Sequence, residues 1–164
     1  MKKVSYINEM PYTFDAVHPV AHYRLESGKY RNRGEILESI AKYHRGIFTE
    51  VNKNTSWDNG SDMEELNASI KSSKACIGRN FKGIHDPNQQ IKAYFKGVAS
   101  SLFIWMEWDE KTQMVTEYHM NKREFGAFVN EFTQFVRDSK MTDLAIRFRA
   151  SSNKMRMWLD SRCA

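Results

Sequence analysis

Residues 102–108, Leu-Phe-Ile-Trp-Met-Glu-Trp, are the feature that most constrains the fold. Apolar side chains occupy both alternating positions of this run, and a strand with that pattern is covered on both faces. The turn-forming residues 109–112 follow it and lead into a second strand over residues 113–120, so the sequence predicts a hairpin. These features predict an α+β or mixed α/β fold with a single central sheet flanked by helices.

Four segments have the spacing or the caps of helices. The clearest begins at the cap Asn121-Lys-Arg-Glu124, after which apolar residues recur every three or four positions. This stripe comprises Phe125, Phe128, Val129, Phe132, Phe135 and Val136. We predict other helices from about Glu35 to about Phe48, from the Asp86 cap to about Ser100, and from a cap at Ser152 or Asn153 onward.

The remaining segments predict strands or irregular chain. Short strands are expected around residues 61–66 and 68–77, and an alternating strand over residues 144–149. We interpret residues 1–164 as a single domain in which residues 1–33 are an irregular N-terminal segment. Residues 34–100 then form a core, and residues 101–164 supply the hairpin, a helix, a strand and the terminal helix.

Composition predicts an intracellular protein, and its charge suits either a polyanionic partner or simple solubility. The chain has 25 Lys and Arg against 20 Asp and Glu. Residues 1–33 hold six basic against three acidic residues, and residues 140–164 hold six against two. Basic ends around a more acidic middle suit phosphate binding, although they also suit simple solubility. The two separated cysteines, the lack of a ~20-residue apolar run and the lack of a secretion signal predict a cytoplasmic protein without membrane association.

Acidic and basic residues follow one another closely between Gly60 and Lys74. Asp62 comes after a turn-forming Asp-Asn-Gly-Ser, where a strand would begin, and Lys71 lies in the next strand. Ser69 and Lys71 share a face of that strand because strand side chains alternate. A carboxylate opposite a lysine can hold Mg²⁺ beside a phosphate and orient the attacking water. A solvated hairpin whose charges flank a turn is the plainer interpretation of the same run.

This arrangement resembles the PD-(D/E)XK nuclease superfamily over residues 34–100. Ser61-Asp62 stands at the PD position, and Ser69-Ile70-Lys71 stands at the acid-x-lysine position, with Ser69 in place of the second acid. The resemblance implies a restriction-endonuclease-like core in which Asp62, Lys71, Ser69 and the early-helix residues Glu35 or Glu38 form the catalytic site. It implies Mg²⁺, or Mn²⁺ as a substitute, as cofactor. Asp62, Glu38 and Glu64 are the candidate metal ligands.

Basic residues near the C-terminus are candidate contacts for nucleic-acid phosphates. Arg147 and Arg149 share one face of the predicted strand, and further basic residues follow in the terminal helix. The candidate nucleic-acid-binding residues are Arg147, Arg149, Lys154, Arg156, Arg162 and, from the earlier segment, Lys74. A solvated surface would carry similar residues. The five histidines form no motif, and no phosphate-binding GxxxxGK[ST] loop or GxGxxG occurs.

The sequence therefore predicts a Mg²⁺-dependent DNA endonuclease or nuclease-like protein. Its size and composition favour a phage, a plasmid or another mobile element as the source. The alternative is a non-catalytic nucleic-acid-binding or regulatory protein, and a protein-interaction module is a third interpretation. A homodimer is left open, because two copies can meet the two strands of DNA.

Overall fold

The computed structural model describes residues 1–17, 22–28, 30–47, 63–72, 76–77, 87–137, 144–148 and 150–163. Its helices are α1 (Arg33–His44), α2 (Pro87–Gly97), α3 (Lys122–Phe132) and α4 (Ser152–Arg162). Its strands are β1 (Lys2–Ile7), β2 (Tyr12–Asp15), β3 (His22–Leu25), β4 (Tyr30–Arg31), β5 (Ala68–Lys71), β6 (Cys76–Ile77), β7 (Leu102–Trp108), β8 (Met114–Asn121), β9 (Thr133–Arg137) and β10 (Leu144–Phe148). The predicted mixture of helices and strands is thus confirmed.

The largest sheet is mixed and has the strand order β1-β8-β7-β5. The predicted hairpin is confirmed, since β7 and β8 pair antiparallel. On the other side of β7, β5 runs parallel to it. Between β5 and β7 the chain forms β6, which belongs to another sheet, and then α2, and a parallel connection requires such a crossover.

The two faces of this sheet bury different helices. In β7, Phe103 and Trp105 point to the face that α2, α3 and α4 cover. Ile104 and Met106 point to the opposite face, where they meet the apolar stripe of α1. All four side chains are at most 1% exposed, which confirms that β7 is covered on both sides. Any residue of β5 can therefore be assigned to a face by its alternation with Ala68 and Ile70, which contact the α1 stripe.

Helix α3 begins where the sequence predicts and ends earlier. The Asn121 side chain accepts a hydrogen bond from the backbone N–H of Glu124, and the Glu124 carboxylate accepts one from the backbone N–H of Asn121. Phe125, Phe128 and Phe132 are buried as expected. The prediction that the helix continues through Phe135 and Val136 was wrong, because these residues lie in β9, which pairs with β10.

The N-terminal segment is not irregular, which corrects the interpretation of residues 1–33. Strand β1 pairs with β8 along its length, from Lys2 opposite His119 to Ile7 opposite Met114. Strands β2, β3 and β4 form a second, antiparallel sheet. These strands are short and only a few of their side chains are buried, which explains why no clear period appears in the sequence.

The expectation of a single sheet was also wrong. Strands β6, β10 and β9 form a third sheet. Phe148 of β10 packs against Trp105 with 4.7 Å between the ring centroids. The third sheet is thus joined to the side of the main sheet that α2, α3 and α4 cover. A restriction-endonuclease-like core stays a prediction.

The segment before β5 differs from the expected strand around residues 61–66. Glu64–Leu66 form a 3-10 turn, and Asn67 has a positive φ of 49°. Asn tolerates that left-handed conformation better than most residues. The turn brings Met63 opposite Ala68, so that the two residues exchange backbone hydrogen bonds of 2.9 and 3.0 Å.

The other two predicted helices are confirmed with small shifts of their ends. Helix α2 begins at Pro87, and α4 is capped by Ser151, whose hydroxyl accepts from the N–H of Lys154. Met155 and Leu159 of α4 are buried, as the apolar spacing indicates. Among the described residues, no helix has both the length and the apolar character that crossing a membrane needs.

Candidate functional site

Ser69 and Lys71 lie on the face of β5 that turns away from α1. They alternate with Ala68 and Ile70, which contact the α1 stripe. The Ser69 side chain is buried, and its hydroxyl oxygen lies 2.6 Å from that of Ser100. The Lys71 ammonium lies 6.0 Å from the ring centroid of Tyr94 of α2, and its side chain is half-buried. The predicted common face for Ser69 and Lys71 is therefore confirmed.

The residues just before β5 lie only partly within the described chain. Asp62, the predicted principal metal ligand, is outside the described residues. It is bonded to Met63, whose backbone pairs with Ala68, the neighbour of Ser69. Glu64 is described only as backbone of the 3-10 turn.

Glu35 and Glu38 belong to the helix on the opposite face of the sheet. Buried Ile36, Leu37 and Ile40 hold α1 against the Ala68 and Ile70 face. Contrary to the sequence-based expectation, the structure does not bring these two glutamates together with Ser69 and Lys71.

Glu35 also has a local structural role at the start of α1. Its backbone N–H donates to the capping side chain of Asn32 at 2.9 Å, and its carboxylate accepts from the Asn32 amide at 2.9 Å. The same carboxylate lies 3.4 Å from Nε of Arg31. An acid in the first turn of a helix also favours the helix dipole. Glu38 is half-buried one turn further along α1.

The predicted basic residues are placed very differently from one another. Lys74 and Arg149 lie outside the described residues, and Arg147 is described only as backbone of β10. In α4, Lys154 is exposed. The guanidinium of Arg162 stacks on Trp158, 3.5 Å from its ring centroid. The described part of the basic patch is therefore the outer side of α4.

Arg156 contributes less to that patch, because it helps to hold α4 on the sheet. Its guanidinium lies 3.6 Å from the carboxylate of Glu107 and donates a hydrogen bond to Asn153 at 3.1 Å. Burial raises the pKa of Glu107, and the neighbouring Arg156 charge lowers it. On the next turn, Asp160 accepts hydrogen bonds from Lys3 at 2.8 Å and from Tyr118 at 2.7 Å.

A polar cluster that the sequence did not reveal surrounds Glu117 on the α1 face of β8. The Glu117 side chain is fully buried. Arg45 donates to its carboxylate through both terminal nitrogens, Tyr6 donates through its hydroxyl, and Nε2 of His119 lies 2.7 Å away. Burial acts to raise the pKa of Glu117, but these hydrogen bonds and the Arg45 charge hold it at about 2. The group is thus a permanently charged anchor at neutral pH.

One sequence signal could have found this cluster. Val115, Glu117 and His119 alternate on one face of β8, and Val115 is completely buried. A glutamate at the next position on a buried face needs a cationic partner. The sequence does not identify Arg45 as that partner, because Arg45 follows the last residue of α1 and is distant from Glu117 in the chain.

Within the described ranges, no three His, Cys, Asp or Glu side chains come together as a metal-binding group. Comparison of the chain with protein-family models, curated proteins and solved structures finds no match. The case for a function therefore depends on the residues themselves.

Proposed function

We propose that this protein is a Mg²⁺-dependent DNA endonuclease, or a nuclease-like protein of the PD-(D/E)XK type, whose site lies at the carboxyl end of β5. One observation carries the proposal. Ser69 and Lys71 share a face of a strand that is parallel to β7 and is connected to it through β6 and α2. Ligands of open α/β sheets commonly bind beyond the carboxyl ends of such strands.

The burial of this segment argues against the plainer interpretation of a solvated hairpin. Ala68, Ser69 and Ile70 are all buried, and β5 lies beside a central strand. A buried strand that ends in a lysine beside an aromatic ring is better suited to a site than to a surface turn. The Met63–Ala68 bridge adds support, because Asp62 is the residue bonded to Met63.

Each residue has a distinct role in the proposal. Asp62 supplies the carboxylate that the metal requires, and Ser69 occupies the place of the second acid. Mg²⁺ would offset the charge of the scissile phosphate. Lys71 orients the water that attacks phosphorus. The attacking water gives a proton to the surrounding solvent and forms a P–O bond, while the bond to the leaving oxygen breaks and that oxygen takes up a proton from solvent, which leaves a phosphate end and a hydroxyl end.

The proposed metal site requires the carboxylate of Asp62. The described residues of the Ser69 and Lys71 face of β5 offer a hydroxyl and an ammonium but no carboxylate, and Mg²⁺ favours anionic oxygen. Glu35 and Glu38 are on the other face. We therefore place the metal requirement on Asp62, with Glu64 as the second candidate ligand and Glu35 and Glu38 below both.

A cleavage assay tests this proposal. Wild-type protein should cut plasmid, linear or single-stranded DNA with Mg²⁺ or Mn²⁺. Asp62→Asn and Lys71→Ala should each lower the rate by orders of magnitude while DNA binding persists. Exposed Glu131→Gln and Lys111→Ala are the matched controls and should leave the rate unchanged. Absence of cleavage of every DNA form with either metal would remove the enzyme.

The second candidate is a non-catalytic nucleic-acid-binding or regulatory protein, and the outer side of α4 favours it. Exposed Lys154 and the Arg162 guanidinium stacked on Trp158 offer charge and a planar surface to a nucleic-acid strand. An affinity for DNA that falls with salt but persists without cleavage would support this candidate over the first.

A further inference from the structure

A cavity lies far from β5, between the end of β1 and the last turns of α1. It has a volume of about 280 Å³, and its lining includes Tyr6, Glu9, Tyr43 and His44. Strands β1 and β5 are the two outer strands of the four-stranded sheet, so they are separated by about 14 Å. The cavity is on the α1 face, and Ser69 and Lys71 are on the other. This site goes beyond the proposed function and does not depend on it.

One wall of the cavity is a fixed aromatic platform. The rings of Tyr6 and His44 are stacked, with 3.5 Å between centroids and 4° between planes. Tyr6 is itself held by the hydrogen bond that it donates to buried Glu117. Arg45 donates two further hydrogen bonds to the same carboxylate. His44 remains exposed. An imidazole that is positioned in this way presents its outer face to a ligand at little entropic cost.

The polar edge of the cavity is a free carboxylate. Glu9 is exposed and forms no hydrogen bond or ion pair with the rest of the described chain. The neighbouring Asn8 is already used, since its amide donates to Gln113 and its carbonyl oxygen accepts from the N–H of Met10. Glu9 is thus the acceptor that a bound molecule would meet.

We propose that this cavity binds a nucleobase, guanine above the others, stacked on His44 with its N–H edge on Glu9. A guanine base presents two parallel donors, N1–H and the N2 amino group, and a carboxylate accepts such a pair in bidentate fashion. The cavity volume is sufficient for one flat base. Stacking on an aromatic side chain is the general way in which proteins hold unpaired bases.

Two other ligand classes fit less well. Among the described residues, no Lys or Arg lines the cavity, so this part of the chain offers no positive charge to hold a phosphate. A guanidinium or ammonium would match Glu9 and could face the Tyr43 ring, but it would fill less of the cavity than a base.

A titration by ¹H NMR tests the proposal with GMP as the probe. The His44 ring signals, identified by their loss in His44→Ala, should move upfield as GMP is added. AMP, which lacks the N1–H and N2 donors, should bind more weakly, and ribose 5-phosphate should leave the signals in place. An oligothymidylate with one central guanine distinguishes an unpaired base in a strand from a free nucleotide, since the tighter of the two identifies the source.

Substitutions of Glu9 and His44 test the two proposed contacts separately. Glu9→Gln should weaken GMP binding about tenfold, while the exposed control Glu26→Gln should not change it. His44→Ala should weaken it about tenfold, and His44→Phe should restore it, since an aromatic face is what stacking needs. A response to ribose 5-phosphate equal to that with GMP, a response to arginine amide in place of GMP, or no response to GMP at all would overturn the proposal.

Discussion

The hydroxyl oxygens of Ser69 and Ser100 lie 2.6 Å apart in the interior of the protein. Ser69 is 2% exposed and Ser100 is 1% exposed. The bond joins β5 to the segment that leads into β7. In the proposed nuclease site Ser69 takes the place of the second acid, so this neutral contact would stand where a metal ligand is expected.

Restoring the acid should create metal affinity. Ser69→Glu adds a carboxylate on the Lys71 face, and we expect Mn²⁺ to bind at least about tenfold more tightly than to wild-type protein, as measured by calorimetry. The added charge is buried, so stability should fall by about 1–3 kcal/mol without metal and recover when Mn²⁺ binds. Ser101→Glu is the matched control at an exposed neighbour. Equal Mn²⁺ affinity in both variants would exclude Ser69 from the ligand position.

The Glu117 cluster should make stability depend on pH in acid. The pKa of Glu117 is about 2 in the folded protein, below its ordinary value of 4.5. A group whose folded pKa is lowered stabilises the folded state above its unfolded pKa and loses that contribution as the pH falls toward the folded value. Urea unfolding of wild-type protein should therefore show a loss on the order of 3 kcal/mol between pH 4.5 and pH 2.

Glu117→Gln tests the assignment of that loss. It should be less stable at pH 7, because Arg45 loses its counter-charge, and its stability should change much less between pH 4.5 and pH 2. The exposed Glu131→Gln should keep the wild-type pH dependence. An unchanged slope in Glu117→Gln would show that other carboxylates produce it.

Removing Arg45 should destabilise the folded protein because it leaves the buried negative charge of Glu117 without a guanidinium partner. We expect Arg45→Met to lower the free energy of unfolding by about 3–5 kcal/mol, since Glu117 then loses its main cationic partner. The double variant Arg45→Met/Glu117→Leu should recover most of that loss, because neither charge is then left alone. Urea denaturation of the four proteins in this cycle measures the coupling, and additive effects would show that the pair does not act as a unit.

The salt dependence of DNA affinity tests whether the C-terminal basic residues bind DNA. Charge reversal of Arg147 and Arg149 should weaken binding without unfolding the chain. Lys154→Gln should reduce the magnitude of the slope of log affinity against log salt by about one. Lys111→Gln, on the turn between β7 and β8, is the control. Unchanged slopes in both the Arg147 and Arg149 double variant and Lys154→Gln would remove this surface from the interface.

Local signals were enough to predict the elements that carry their own caps and period. Each of three such predictions depends on a few neighbouring residues, and each is confirmed: the Asn121 and Glu124 capping box, the start of α2 at Pro87, and the burial of β7 on both faces. The end of α3 was missed for a non-local reason. Phe135 and Val136 keep helical spacing, but pairing with β10 draws the chain into a strand from Thr133 onward.

The candidate site was predictable only in part, because its geometry depends on which face each helix covers. Alternation places Ser69 and Lys71 together from the sequence alone. That α1 lies on the other face follows from the packing of Ile36 and Leu37 against Ala68 and Ile70, which no local pattern fixes. The Glu117 cluster likewise joins residues from β1, β8 and the end of α1.

Anomalous diffraction from a crystal soaked with Mn²⁺ tests the central claim most directly. The proposed nuclease site predicts one strong Mn²⁺ peak bonded to the Asp62 carboxylate, on the side of the sheet that carries Ser69 and Lys71. The same soak of Asp62→Asn crystals should lose that peak. A wild-type crystal without a peak at Asp62, or with Mn²⁺ bound only to the glutamates of α1 on the opposite face, would contradict the account.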